Sequence, residues 1–319
     1  MLKGILLSVL ASSVFGILYF YSQLLHTFDG SQVFGWRVIS FLPFLTLFIW
    51  LSGDLHYITE IFQRILKQPL LILGVLGTAI LGGFQLWLFL WGPMHGRGMQ
   101  VSLGYFLLPL VLVLIGALFY KEKLSLFQKI AVGFAVLGVG HEIWKVGSIA
   151  WETALVAFGY SAYFFLRKII KTDHLGGFWL DNILALPIAI YFVSTWQVQP
   201  FYSIFESHLI FVIIGLGVLS AIGLGSYILA SRYLPMVLFG LLSYLEPVLL
   251  ALASLMIGEK INSAQWFTYI PIWCAVAILV LEGVYHIYKQ QRRHQNLLLK
   301  VEKLPKRIKR SRKQHDKAS

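Results

Sequence analysis

Ten apolar stretches, each long enough to cross a bilayer, constrain this chain more than any other feature. A helix rises about 1.5 Å per residue, so roughly 20 apolar residues span the hydrocarbon core. The stretches lie near 3–23, 33–52, 69–91, 98–119, 125–144, 147–166, 175–195, 208–230, 236–257 and 264–288. Backbone amides and carbonyls find no water in lipid, which leaves helices or a closed barrel. Continuous apolar runs, rather than short alternating segments, select helices. The expected fold is all-α and integral to the membrane, with ten transmembrane helices.

Composition agrees. Hydrophobic residues make up 58% of the 319 and charged residues 13%, a balance that would precipitate a soluble chain of this size. The lone cysteine, Cys274, sits in the last stretch and excludes an intramolecular disulfide or a cysteine metal cluster. No A-x-A-like cleavage site follows the first apolar run, so that helix is expected to be retained.

Alternating spans with a cytoplasmic N-terminus place 22 Lys and Arg inside and 4 outside: Arg37, Arg97, Lys145 and Lys260. The positive-inside rule therefore favours both termini in the cytoplasm. The net charge of +12 does not point to nucleic acid, because nearly half of the basic residues lie in a tail, 291–319. That tail reads as disordered and topology-fixing, with membrane lipid headgroups as its nearest partner.

The two halves are alike. Gly74, Gly82 and Gln85 of the third stretch match Gly215, Gly223 and Ser226 of the eighth at a constant shift. Tyr105, Pro109 and Glu122-Lys123 match Tyr244, Pro247 and Glu259-Lys260. Units of five spans, 1–144 and 145–290, must insert in opposite orientations. Inverted repeats around a midplane site are a recurring plan for secondary transporters.

Individual residues narrow the site. Glu246 stands midway along an apolar run beside Pro247. A carboxylate in hydrocarbon is costly, so it reads as a substrate contact or proton site, or as a buried structural carboxyl. Asp181 and Asn182, in the first third of the seventh span, are a polar pair that could face the same cavity or bond within the packing. Arg37, at the outer start of the second span, could hold a substrate carboxylate; snorkelling to headgroups is the simpler expectation. Tyr105, Phe106, Tyr160, Tyr163, Tyr227 and Tyr244 could stack on a flat or amphipathic solute, or simply pack. Trp36, Trp87, Trp91, Trp144 and Trp196 read as interfacial belts, and the glycines as sites of close helix approach. The scattered histidines read as solvated. No G-x-x-x-x-G-K-[ST], H-E-x-x-H or Cys-x-x-Cys occurs, and no cofactor or metal is expected.

Several blocks together resemble the EamA-type permeases of the drug/metabolite transporter superfamily, most closely the RarD proteins. They are Trp36-Arg37, Ser102-Leu103-Gly104-Tyr105-Phe106 with Pro109, Lys121-Glu122-Lys123, Tyr160 to Lys168, and Tyr244-Leu245-Glu246-Pro247. The resemblance covers residues 1 to about 288; the basic tail lies outside it. It implies ten helices in two inverted repeats and export of a small-molecule substrate across the inner membrane. The expected activity is therefore transport, not enzymatic catalysis, and a homodimer is compatible with such a surface. A membrane-embedded sensor or scaffold using the tail, or an integral-membrane transferase, is the alternative. Deleting 291–319 should disable a scaffold and spare a permease.

Overall fold

Helix boundaries follow local signals in the chain. The computed structural model describes residues 2–25, 28–51, 53–95, 97–147, 150–195, 209–246, 248–249, 266–282 and 285, and all regular structure among them is helical. Asp29 opens α2 (Gly30–Leu51): its Oδ1 accepts from the amides of Ser31 and Gln32, and its own amide donates to Gln32 Oε1. This reciprocal box satisfies amides that the first turn leaves without partners. Ser125 and Gln128 form the same box at α6 (Leu126–Val146). Gly147 ends α6 at φ 76°, a left-handed geometry that glycine adopts without a Cβ clash.

α1 (Leu2–Ser22) precedes them, and α3 (His56–Lys67), α4 (Leu71–Met94) and α5 (Gly98–Leu118) lie between α2 and α6. The stretch expected as one helix over 147–166 is instead α7 (Trp151–Ala154), a π-helical turn (Leu155–Tyr160) and α8 (Ser161–Ile169). Then come α9 (Leu175–Ser194), α10 (Leu209–Tyr233), α11 (Met236–Leu242) and α12 (Trp266–Glu282). Among the described residues six helices, α2, α4, α5, α6, α9 and α10, contain runs long and apolar enough to cross a membrane. Shorter apolar runs occupy Leu2–Leu18 and Trp266–Glu282. Pro247, Trp196, Glu259, Lys260 and the tail lie outside the described residues.

The helices interlock in a regular pattern. α1 lies against α10, α2 against α9 and α10, α4 against α9 and α8, and α5 against α11. Small residues make these approaches possible: a Cβ on Gly217 of α10 would sit 2.6 Å from the Ser40 carbonyl of α2. One end of the bundle gathers basic side chains. There Lys3 reaches the Tyr233 hydroxyl, Arg232 the Tyr57 hydroxyl, and Lys168 the Leu234 carbonyl.

Glu122, from the Glu-Lys pair after α5, works across this end. Its two carboxylate oxygens accept from the amides of Met236 and Val237, both at 2.8 Å, and so cap α11 from outside. An anion on helix-terminal amides is favourable, and losing such a cap typically costs about 1–2 kcal/mol. Glu122→Ala is therefore expected to lower the denaturation midpoint in detergent by that amount. An unchanged midpoint would show that water replaces the carboxylate.

Candidate functional site

A cavity of about 30 Å³ lies where the central helices meet. It is lined by Phe15, Arg37, Gln85, Leu86, Phe89 and Tyr105 from the first half of the chain, and by Tyr160, Leu224, Tyr227 and Glu246 from the second. It has room for about two waters.

Arg37 is the first departure from expectation. Because the Asp29 box starts α2 early, Arg37 sits two turns inside the helix and is only 3% exposed. It does not snorkel. Its Nε donates to Ser220 Oγ of α10 at 3.0 Å, and its guanidinium lies 5.6 Å from the Phe89 ring centre. Glu246, 9% exposed, faces the same cavity within electrostatic reach. Among the described residues the ion pairs are Arg97–Glu152 and Arg167–Asp181, so Arg37 and Glu246 share the cavity without a salt bridge.

Gln85 and the π turn build a third polar element. Within this turn the Leu155 carbonyl accepts from Gln85 Nε2 at 2.8 Å. Gln85 Oε1 is buried and accepts no hydrogen bond from the described residues. The turn ends at Tyr160, whose ring lies among those of Tyr163, Phe164 and Tyr227. The Tyr227 hydroxyl shares a hydrogen bond with Ser243 Oγ at 2.9 Å.

A second cavity of about 10 Å³ adjoins the first, sharing Leu86, Tyr160 and Leu224. Asp181 and Asn182 line it with Tyr163. Asp181 accepts from Thr78 Oγ1 at 2.6 Å, the Tyr163 hydroxyl at 3.1 Å and Arg167 Nη1 at 2.5 Å. Arg167, 1% exposed, also donates to Tyr163 and to the carbonyls of Thr172 and His174. Asn182 donates to the Phe178 carbonyl.

Of the residues singled out in the sequence, Arg37, Tyr105, Tyr227 and Glu246 meet at the first cavity, and Asp181 and Asn182 at the second. Tyr244 joins neither: it is fully buried between α5 and α12, with its hydroxyl donating to the Phe106 carbonyl. Trp36 is buried in the core rather than in an interfacial belt. Gln85 was legible only as a repeat marker, although an amide deep in an apolar helix is itself a signal. Among the described residues, no group of three or more His, Cys, Asp or Glu comes together as a metal site would.

His174 is not solvated either. Its Nδ1 accepts from the Gly177 amide at 3.2 Å and its ring stacks on Tyr57 at 4.4 Å. Burial, then the nearby Arg167, Arg232 and Arg64, push its pKa down to about 3. An unfolded histidine titrates near 6.5, so the unfolded chain binds the extra proton first. The stability this neutral ring confers is complete above about pH 6.5 and falls away as pH drops toward 3. Wild type should therefore lose more thermal stability between pH 7.5 and 5 than His174→Gln. Equal losses would refute this assignment.

The family model described as the EamA-like transporter family matches residues 2–140. A Pasteurella multocida protein named as an uncharacterized transporter is 41% identical, covering 91% of this chain and 99% of its own. A Pseudomonas aeruginosa protein named chloramphenicol-sensitive protein RarD is 37% identical, covering 91% and 98%. The RarD protein of Escherichia coli is 27% identical, covering 89% of this chain and 95% of its own. One solved crystal structure shares the fold, with a TM-score of 0.59 over 87% of this chain and 97% of its own at 16% identity.

Proposed function

We propose, since this chain belongs to the EamA-like transporter family, that it is a secondary permease moving a small amphipathic solute through the Arg37–Glu246 cavity. The observation that carries this reading is the pair itself. A guanidinium and a carboxylate, both buried, face one space without pairing. Burying two such charges is expensive unless partners satisfy them. A solute with ionic and aromatic groups would supply those partners, and the rings of Tyr105, Tyr160 and Tyr227 would take its apolar part.

The proposed architecture is ten helices in inverted repeats, 1–144 and 145–290. Reciprocal contacts support it: α1 with α10 is answered by α4 with α8, and α2 with α10 by α4 with α9. Arg37 precedes Pro43 of α2 by six residues, and Asp181 precedes Pro187 of α9 by the same six. Arg37 bonds Ser220 of α10, and Asp181 bonds Thr78 of α4. Rocking one repeat against the other would open the cavity to alternate sides. The gathering of Lys3, Lys168 and Arg232 at one end supports a cytoplasmic placement of that end and of both termini in the plasma membrane. Energy would come from the solute gradient or coupled protons.

Pockets for drug-sized ligands hold about 300–1,000 Å³, so a cavity of about 30 Å³ must widen to admit such a solute. Tyr105→Cys in a Cys274→Ser background should react with impermeant thiol reagents from either side of the membrane, with solute shifting the balance. A cysteine sealed from both sides, solute present or absent, would overturn alternating access.

A further inference from the structure

α3 joins two candidate membrane spans yet is not one. Its 12 residues rise about 18 Å, too little for a hydrocarbon core of about 30 Å. It carries two apolar stripes. Ile58, Ile61 and Ile65 face the protein, and Ile61 is fully buried beside Val75 and Leu180. Leu55, Phe62 and Leu66 lie on another face; Phe62 is 50% and Leu66 82% exposed. His56, Glu60, Gln63 and Lys67 form the wet stripe beyond Phe62 and Leu66, away from the buried isoleucines.

The helix is firmly held at the basic end of the bundle. Gly176 of α9 leaves space for it: a Cβ there would lie 2.9 Å from Tyr57 Cβ. Arg64 donates to the carbonyls of Ile170 and Lys171 beyond α8, and Arg232 lies over the Tyr57 ring. Lys67, Lys121, Lys123 and Lys171 are exposed at this end, against the acids Asp54, Glu60, Glu122 and Asp173.

We infer that α3 is a bilayer-surface helix: Leu55, Phe62 and Leu66 rest at the acyl boundary, and anionic lipid headgroups meet Lys67 and the lysines around it. Three facts converge on that occupant. The exposed stripe has the spacing of one helix face, and the flanking spans hold the helix at the level of their ends. With Lys3, Arg64, Lys168 and Arg232 added to the four lysines, basic side chains outnumber the four acids at this end, as an anionic leaflet favours. The assignment concerns the lipid contact alone and stands whether or not the cavity transports.

Spin labels test it in the full-length protein. With Cys274 replaced by serine, Phe62→Cys and Gln63→Cys each carry one nitroxide in vesicles of phosphatidylcholine, with or without phosphatidylglycerol. The label at 62 should collide preferentially with oxygen and that at 63 with a water-soluble nickel chelate. Phosphatidylglycerol should shift position 62 further toward oxygen, and Lys67→Gln should reduce that shift. Nickel preference at 62 would overturn the proposal. So would spin–spin broadening at 62 that vanishes on dilution with unlabelled protein, since a second copy would then cover the stripe. An oxygen preference indifferent to phosphatidylglycerol would overturn the headgroup assignment.

Discussion

Arg167→Met is expected to cost about 3–5 kcal/mol, the penalty of leaving one partner of a buried ion pair alone. Four bonds go at once: those to Asp181, the Tyr163 hydroxyl and the carbonyls of Thr172 and His174. Asp181 keeps Thr78 and Tyr163 as donors but loses its ion pair with Arg167. The damage spreads because this network joins α8, α4 and α9. The readout is the unfolding midpoint of detergent-solubilised protein titrated with dodecyl sulfate. Adding Asp181→Asn should recover part of the loss, since it removes the stranded charge while keeping an acceptor for Thr78. A single variant as stable as wild type would show that water or lipid reaches this site.

Arg37→Met should leave the helices in place yet weaken solute binding by about 1.5–3 kcal/mol, the worth of hydrogen bonds to a charged group. That is about ten- to a hundredfold in apparent affinity. Arg37→Lys should rescue only partly, because an ammonium reproduces neither the planar bond to Ser220 nor the face lying over Phe89. Glu246→Gln should be comparably severe and should also remove any dependence of transport on pH. Variants that insert normally and bind like wild type would place the site elsewhere.

Six of the expected spans were legible because twenty apolar residues in a row have few fates. α3 was not, since twelve residues with a polar stripe carry no spanning signal. The π turn was invisible because hydropathy is blind to hydrogen-bond register, yet it ends on Tyr160, which lines the cavity, and its Leu155 carbonyl holds Gln85 there. Arg37 was misplaced for a concrete reason. Asp29 and Gln32 spell a capping box, which starts α2 at Gly30 and carries Arg37 into the core. Glu246 announced itself as a lone carboxylate in an apolar run. Tyr244 carried the same repeat signal as Tyr105, but its hydroxyl is consumed by Phe106. Arg167 carries no sequence signal that sets it apart from other basic residues near a span end; only its packing against Asp181 does.

The most direct measurement is flux into proteoliposomes holding the purified protein, with and without an imposed pH gradient. Amino acids, small aromatic metabolites and chloramphenicol are the solutes to offer. A secondary permease centred on the cavity predicts protein-dependent flux without ATP, lost in Glu246→Gln protein that remains folded. Folded protein that moves none of them, or moves them equally well without the Glu246 carboxylate, would contradict it.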